Sequence, residues 1–508
     1  MNSRILRAIV VISAAFILAR IWSVWHAGLG LSLLSDDYVQ LGRAAWPGCL
    51  LPHQWFYRYT PVPESIFVAV KSIFGWQTLA FRAVGMALYI SCIPLIVVFA
   101  YRTTRDWLIA FAACALFVTY PFSHEMAFWT IAQYGYCVEL ASLLIGALIV
   151  MKASAKGFTT LSGIALVATY IVGLGAHEQM IASLPIWVLM WWLVASELDE
   201  SRKFVVPKGT LPVAAALVAV SALCVLAKAL FTKSMIIVDS GPLWKLGNYS
   251  RMHYMAFRID SLSFNNAFIG AGLLMSVLLS VWALWSLRTR YRLWGVIILS
   301  LQFSLVPSVA FSGLSPRYLY LPSVFSSILL GMILAGVRSR LDAGLRKRLG
   351  AAAASLIVGL LFCAVVVAIS LSGVNFLERQ ARYWREASRL SGKMTSEVVE
   401  LVVRQGADKD KIVITNPPDR VKAAWCDGAY IFRNGLQYAV GYPLGQRGIT
   451  KPIEVVGRSA KEPLLTTAQE QALAADGRAL VIDCSGYDRK PCRVVQPASA
   501  TENGGTAR

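Results

Sequence analysis

Charge is scarce in this chain. Asp, Glu, Lys and Arg make up 15% of its 508 residues, well below the roughly 25% usual in soluble proteins. The charge is also one-sided, with 28 acidic residues against 48 basic ones, and only 5 His. Nucleotide signatures are missing. No Walker loop precedes a strand and no dinucleotide-type glycine fingerprint stands out, which disfavours an ATP-driven reaction or a soluble nucleotide-sugar donor. No pair of His has the helical spacing of a zinc signature. No internal repeat is evident, which speaks against the repeated architecture of many transporters.

What the chain has in excess is apolar residues. They make up 57% of it and the mean hydropathy is +0.58, more apolar surface than one soluble core can bury. Apolar runs lie near 8–28, 82–101, 107–122, 134–151, 158–174, 180–196, 210–231, 264–287, 293–311, 320–337 and 351–372. Their lengths predict an all-α polytopic membrane bundle of about eleven transmembrane helices. Basic clusters at Arg4/Arg7, ahead of the first span, and at Arg102/Arg105, Lys152/Lys156, Arg202/Lys203/Lys208, Arg288/Arg290/Arg292 and 338–348, each after an even number of spans, lie on one side. They mark cytoplasmic loops, so the net charge of +20 is mainly topological and no nucleic-acid partner is expected.

An apolar segment at 66–81 carries Lys71 and is interrupted by Gly75. Counting it as a span would put the basic N-terminus and the basic 338–350 cluster on opposite sides, so it is read as an in-plane helix in the first outer loop. Arg4 and Arg7 before an apolar stretch also resemble a signal peptide, but no small-residue cleavage site is clear before Trp22, and an uncleaved anchor fits better.

Composition changes near Gly373. The expected organisation is a membrane domain at 1–372, a linker helix at 373–395, a small extracytoplasmic α/β domain at 396–496 and a disordered tail at 497–508. Strand-like runs at Lys411–Thr415 and Ala479–Ile482 mark the α/β domain. Its Cys426, Cys484 and Cys492 leave room for one disulfide, with Cys484–Cys492 the simplest pairing. The N-terminus is then cytoplasmic and the C-terminal domain outside the cytoplasmic (inner) membrane.

Polar chemistry concentrates on the outward loops. The first carries Asp36, Asp37, His53, Arg58, Tyr59 and Glu64; the second His124 and Glu125; the third His177 and Glu178; a longer loop holds His253; and the last offers Arg317 and Tyr318. Asp36-Asp37 directly follows the first span, and paired carboxylates at a membrane face serve catalysis, cation binding or a helix start. With Ser35 as N-cap, the pair would also favour a helix through Tyr38 and Leu41; the two readings are compatible. Arg58 fits either a phosphate or the lipid headgroup level. Arg317, alone between apolar spans, calls for an anionic partner. The His-Glu pairs suit acceptor contacts or interfacial structure better than a metal. Arg20, Glu139 and Lys228, in or near spans, should form internal pairs or snorkel.

An acidic pair after span one, Arg58-Tyr59-Thr60-Pro61, many spans and a late Arg317-Tyr318-Leu319-Tyr320 together resemble the GT-C superfamily of polyprenyl-phosphate-sugar-dependent glycosyltransferases, which includes protein O-mannosyltransferases and lipid A aminoarabinose transferases. The likeness covers roughly 1–372. Many relatives have Asp-Glu where this chain has Asp36-Asp37, which leaves open which carboxylate is the base.

The resemblance implies an inverting transfer of a hexosyl or pentosyl group from a polyprenyl phosphate to a hydroxyl of a glycan, lipid or protein, in contact with membrane lipids. One base and positive charge on the phosphate suffice for it. Asp36 is the expected base and Asp37 its neighbour, one of the two becoming a better base through the other's charge. Arg58, Arg317 and Tyr318 would bind the donor phosphate, and Tyr59, His53, His124, Glu125, His177 and Glu178 the substrates. No cofactor is expected, and a divalent cation on the Asp pair stays open. The alternatives are an O-antigen ligase or polymerase, expected to centre on a large late loop, and a multi-span transporter.

Overall fold

A backbone in hydrocarbon must satisfy its own hydrogen bonds, so long apolar runs become long helices. The computed structural model describes residues 2–43, 48–50, 60–198, 209–231, 281, 285, 295–298, 316–421, 428–457 and 463–497. Two compact units are distinguished: Met1–Leu29, Trp46–Ile66 and Phe81–Arg379 form the first, and Gly30–Ala45, Phe67–Ala80 and Gln380–Arg508 the second.

In the first unit, helix Asn2–Leu29 buries Val10, Ile17, Ile21, Val24 and Trp25 and exposes Val11, Ile12, Phe16, Leu18 and Trp22. The buried spacing of seven, four and three residues is one face of a helix. The exposed apolar face is what lipid, and not water, would solvate.

Among the described residues, six helices are long and apolar enough to cross a membrane: Arg4–Leu29, Thr78–Thr104, Thr130–Ser154, Thr210–Ala227, Arg317–Leu349 and Ala351–Gln405. A bent pair, Trp107–Val118 with Pro121–Phe128, makes seven if counted as one span. The expected spans at 158–174 and 180–196 are helices of 17 and 16 residues, Thr160–Ala176 and Ser183–Leu198. Those at 264–287 and 293–311 fall almost wholly outside the described residues.

The segment expected in-plane begins earlier and ends sooner than its apolar run suggests. Helix Pro61–Phe74 starts on a proline, which is favoured in the first turn because its missing N–H is not needed there. It ends at Gly75, where φ is +62°; Thr78–Phe81 already belong to helix Thr78–Thr104.

Helix Tyr320–Leu349 is the most enclosed candidate span, with 83% of its apolar window buried. It lies close to helix Trp107–Val118, where a Cβ on Gly331 would come within 3.2 Å of the Ile109 carbonyl. The next helix, Ala351–Gln405, runs unbroken for 55 residues through the compositional change near 373.

The second unit holds the α/β module. Strands β1 (Lys411–Thr415), β2 (Arg420–Val421), β3 (Ala429–Tyr430), β4 (Ile453–Val456), β5 (Ala479–Asp483) and β6 (Arg493–Val494) form a four-stranded sheet in the order β4-β1-β5-β6 and a β2-β3 pair. β1 is parallel to β4 and β5, and β6 is antiparallel to β5. The continuous apolar character of β1 and β5 is what a central parallel strand, covered on both faces, requires. Cys484 and Cys492 are joined by a disulfide.

Buried polar groups brace the ends of β1 and β5. Glu470 accepts from the Thr415 hydroxyl at 2.7 Å and the Asn416 amide at 2.8 Å, and burial pushes its carboxyl above the ordinary range. Burial acts the same way on Asp483, but hydrogen bonds from Ser485 and Arg493 outweigh it and hold that carboxyl below its usual value.

One close packing in the first unit gives a direct test. A Cβ on Gly146 would fall 2.3 Å from the Trp187 ring, and that indole is held on another side by Tyr170 in an edge-on contact with centroids 5.9 Å apart. A rigid ring wedged between helices cannot yield, so Gly146→Ala should destabilise the fold by about 1–3 kcal/mol, read as a lower midpoint in thermal unfolding of the detergent-solubilised protein. An unchanged midpoint would show that the two helices separate freely at this point.

Candidate functional site

The Asp pair begins helix Asp36–Arg43 in the second unit. Ser35 is not its side-chain cap. Its φ is +49°, whereas a capping residue sits in the extended region, and its buried hydroxyl makes no hydrogen bond among the described residues. The local work falls to Asp37, fully buried, whose Oδ2 accepts the Leu34 N–H at 3.2 Å. The Leu34 carbonyl in turn accepts the Asp37 N–H at 3.0 Å. This reciprocal pair closes the turn that a Ser cap would have closed.

Asp36 is only partly buried. Its Oδ1 accepts the Asn434 side-chain amide at 2.6 Å, while Oδ2 takes no hydrogen bond among the described residues. Two adjacent carboxylates therefore divide their tasks: Asp37 shapes the backbone and Asp36 keeps an oxygen available. Nearby, Lys71 donates to the Leu41 carbonyl at 2.9 Å, and burial lowers its ammonium pKa. Trp76 stacks on Tyr442 with centroids 3.7 Å apart.

The first unit brings a second set of expected residues together. Glu125, in the short helix His124–Phe128, accepts both the Arg317 backbone N–H and its guanidinium, each at 3.2 Å. The guanidinium carbon lies 5.1 Å from the Trp129 ring centroid and 5.0 Å from that of Tyr318. An Arg held by a carboxylate and flanked by aromatic faces is fixed in place. Its side chain is 20% exposed while Glu125 is 3% exposed, so the pair opens on the Arg side.

Tyr318 meets Tyr136 edge-on at 6.3 Å, and Tyr136 lies 4.6 Å from the His177 ring. Tyr136 belongs to a π-helical turn, Gln133–Cys137, a local widening common at functional sites. His177 ends helix Thr160–Ala176, where its Nδ1 accepts the Gln179 N–H at 3.3 Å. Glu139 Oε2 stands 3.6 Å from the same nitrogen, an ion pair only when the imidazole is protonated. Glu178 follows in a half-buried 3₁₀ turn, and His124 is buried beside Phe376. His53, Arg58 and Tyr59 lie outside the described residues. No group of three His, Cys, Asp or Glu side chains among the described residues is placed to hold a metal ion.

Glu139, expected as an internal charge, stands beside His177, while Asn434 and Arg82 are not among the residues expected at the site. Arg82 is 2% exposed and donates from its guanidinium to the Phe128 carbonyl; an Arg opening an apolar run was the available signal. Asn434-Gly435 reads as a turn, and nothing local points from it to Asp36.

No family model matches the chain, and no curated protein matches it in sequence. Solved structures do. The archaeal oligosaccharyltransferase AglB from Archaeoglobus fulgidus, in complex with an inhibitory peptide and a dolichol-phosphate, matches with a TM-score of 0.52 at 10% identity over 94% of this chain and 69% of that one. The apo form of the Archaeoglobus fulgidus oligosaccharyltransferase gives 0.51 at 12% identity over the same shares. ArnT from Cupriavidus metallidurans bound to undecaprenyl phosphate gives 0.49 at 13% identity over 92% of each chain. This chain shares the fold of AglB. At 10% to 12% identity this is a likeness of fold.

Glu64 supplies the pH test. It sits in the first turn of Pro61–Phe74, whose Pro61 and Val62 pack on Gly175 just before His177. Burial raises its carboxyl to about 7. With the folded-state value above the unfolded one, the neutral form is favoured by folding: stability is fullest below the unfolded value and falls as pH rises to about 7. Thermal unfolding of the wild type should therefore show a lower midpoint at pH 8 than at pH 5, and Glu64→Gln should narrow that difference. An equal pH dependence in the variant would remove Glu64 as its source.

Proposed function

We propose that this chain is a membrane glycosyltransferase that moves a sugar from a polyprenyl-phosphate carrier to an acceptor hydroxyl outside the cytoplasmic membrane, with inversion at the anomeric carbon. The observation that carries the reading is Asp36: a partly exposed carboxylate at the start of the first loop helix, with one oxygen anchored and one available, on a fold shared with an oligosaccharyltransferase solved with a dolichol-phosphate.

In this reading Asp36 accepts the acceptor's hydroxyl proton as the oxygen attacks the anomeric carbon. A carbon–oxygen bond to the acceptor forms and the one to phosphate breaks, and the carrier leaves as a phosphate monoester. Arg317, with Tyr318 beside it, stabilises the growing phosphate charge, and Arg58 serves the same anion. Glu125 fixes the guanidinium so that less freedom is lost when phosphate binds. Tyr59, His53, His124, His177 and Glu178 are assigned to substrate contacts, the acceptor being a glycan, lipid or protein. The N-terminus is cytoplasmic, helix Pro61–Phe74 lies in-plane, and the α/β module faces outward.

A deletion strain complemented with variants provides the test, with envelope glycans compared by mass spectrometry at matched protein levels. Asp36→Asn should lower formation of the missing component by about 10²- to 10⁴-fold, the usual share of a general base. Asp37→Asn, which keeps an acceptor for the Leu34 N–H, should lose far less. Arg317→Lys should reduce it because a point charge replaces the planar fork. Full restoration by Asp36→Asn would remove Asp36 as base, and a deletion that leaves every glycan intact would overturn the proposed activity.

A further inference from the structure

The second unit joins the start of the first loop to a turn about four hundred residues later. Asn434 Nδ2 lies 2.6 Å from Asp36 Oδ1, across a sequence separation of 398. A carboxylate only accepts, so the amide atom facing it is the nitrogen.

The surrounding contacts show how firmly the turn is held. The Ile431 N–H donates to the Asp419 carbonyl at 2.8 Å and the Phe432 N–H to the Pro418 carbonyl at 3.3 Å, which ties the segment to the loop after β1. From the other side, the Ser35 N–H donates to the Ile431 carbonyl at 3.0 Å, and Tyr38 faces the Phe432 ring with centroids 6.2 Å apart. Gly435 has φ +86°, and a Cβ there would fall 2.4 Å from the Ser35 carbonyl oxygen. Only glycine allows both that backbone and that approach. Three residues on, Tyr438 takes a hydrogen bond from Arg43.

We propose that Asn434 is a positioning residue for the reaction: the α/β module reaches back to the first loop and holds the Asp36 carboxylate by one oxygen, leaving the other aimed for proton transfer. This inference rests on the reading of Asp36 as base. It gives the module a part in the chemistry, through the orientation of a group it does not itself carry. The strained Ser35 backbone fits the same role. A left-handed non-glycine residue persists only where its surroundings over-determine it, and here the Ile431 carbonyl and Gly435 enclose it.

Docking and positioning are separable because Asn434 and Tyr438 share the contact but only Asn434 touches Asp36. The experiment uses the full chain in the deletion strain and in detergent, comparing wild type, Asn434→Ala, Asn434→Ser, Tyr438→Phe and Asp36→Asn. Each is assayed for the glycan component lost on deletion, at matched protein level, and for its thermal midpoint.

Asn434→Ala should reduce the component about ten- to hundredfold, the scale of a lost hydrogen bond to a charged group, with a midpoint no lower than that of Tyr438→Phe. Tyr438→Phe should stay within about twofold of wild type in activity, as expected for a change that leaves the base untouched. Asn434→Ser, which keeps a donor, should recover part of the loss at the same midpoint. If activity and midpoint fall together in both Asn434→Ala and Tyr438→Phe, the contact is docking alone and the inference fails. If Asp36→Asn is inactive while Asn434→Ala behaves as wild type, the inference fails and the base reading stands. An active Asp36→Asn overturns both.

Discussion

A carboxylate withdrawn from water has to be met by a donor, because taking an ion out of water without compensation costs several kcal/mol. That requirement organises both units. Glu125 is met by the backbone and guanidinium of Arg317, Asp37 by the Leu34 N–H, Asp36 by Asn434, and Glu470 by Thr415 and Asn416. In most of these cases the donor comes from a distant part of the chain, so each satisfied acid also fixes a tertiary contact. The acids define positions that apolar packing alone would leave loose, since apolar contacts carry no direction.

The same requirement separates groups fit for structure from groups fit for chemistry. Asp37 is fully buried, and its bond to the turn holds the backbone. Asp36 lies one residue away, is partly exposed and has one oxygen engaged. Arg317 shows a like arrangement from the cationic side: a carboxylate and two aromatic faces hold it, and its side chain stays 20% exposed. A group held at one end and accessible at the other can meet a substrate without first being reorganised.

Periodic features of the sequence carried over well. β1 and β5 occupy the apolar runs that suggested them, and most of the long apolar stretches are helices. Near 373 composition changes without changing backbone preference, and the last span and the linker helix expected after it are continuous. The residues on either side of 373 differ in polarity, yet Ala, Leu, Glu and Arg all favour helix, and a single helix runs from Ala351 to Gln405. Ser35 did mislead: it has the right side chain for a cap, but the Ile431 carbonyl and Gly435 impose a backbone that a cap cannot use. The Glu125–Arg317 and Asp36–Asn434 pairs were out of reach because no local pattern records a partner hundreds of residues away.

The reach of the Asp36–Asn434 contact also sets an order in time. At typical rates of synthesis, the 398 residues between the two emerge over roughly 20 to 80 seconds. Until then no amide can arrive to steady the carboxylate, and the Ser35 carbonyl has no glycine turn against it. β1 likewise waits for β4 and β5 before it has neighbours on both sides. A nascent chain with most of its helices already made would thus carry the acid without its brace, and the contact would close only as the ribosome finishes the module.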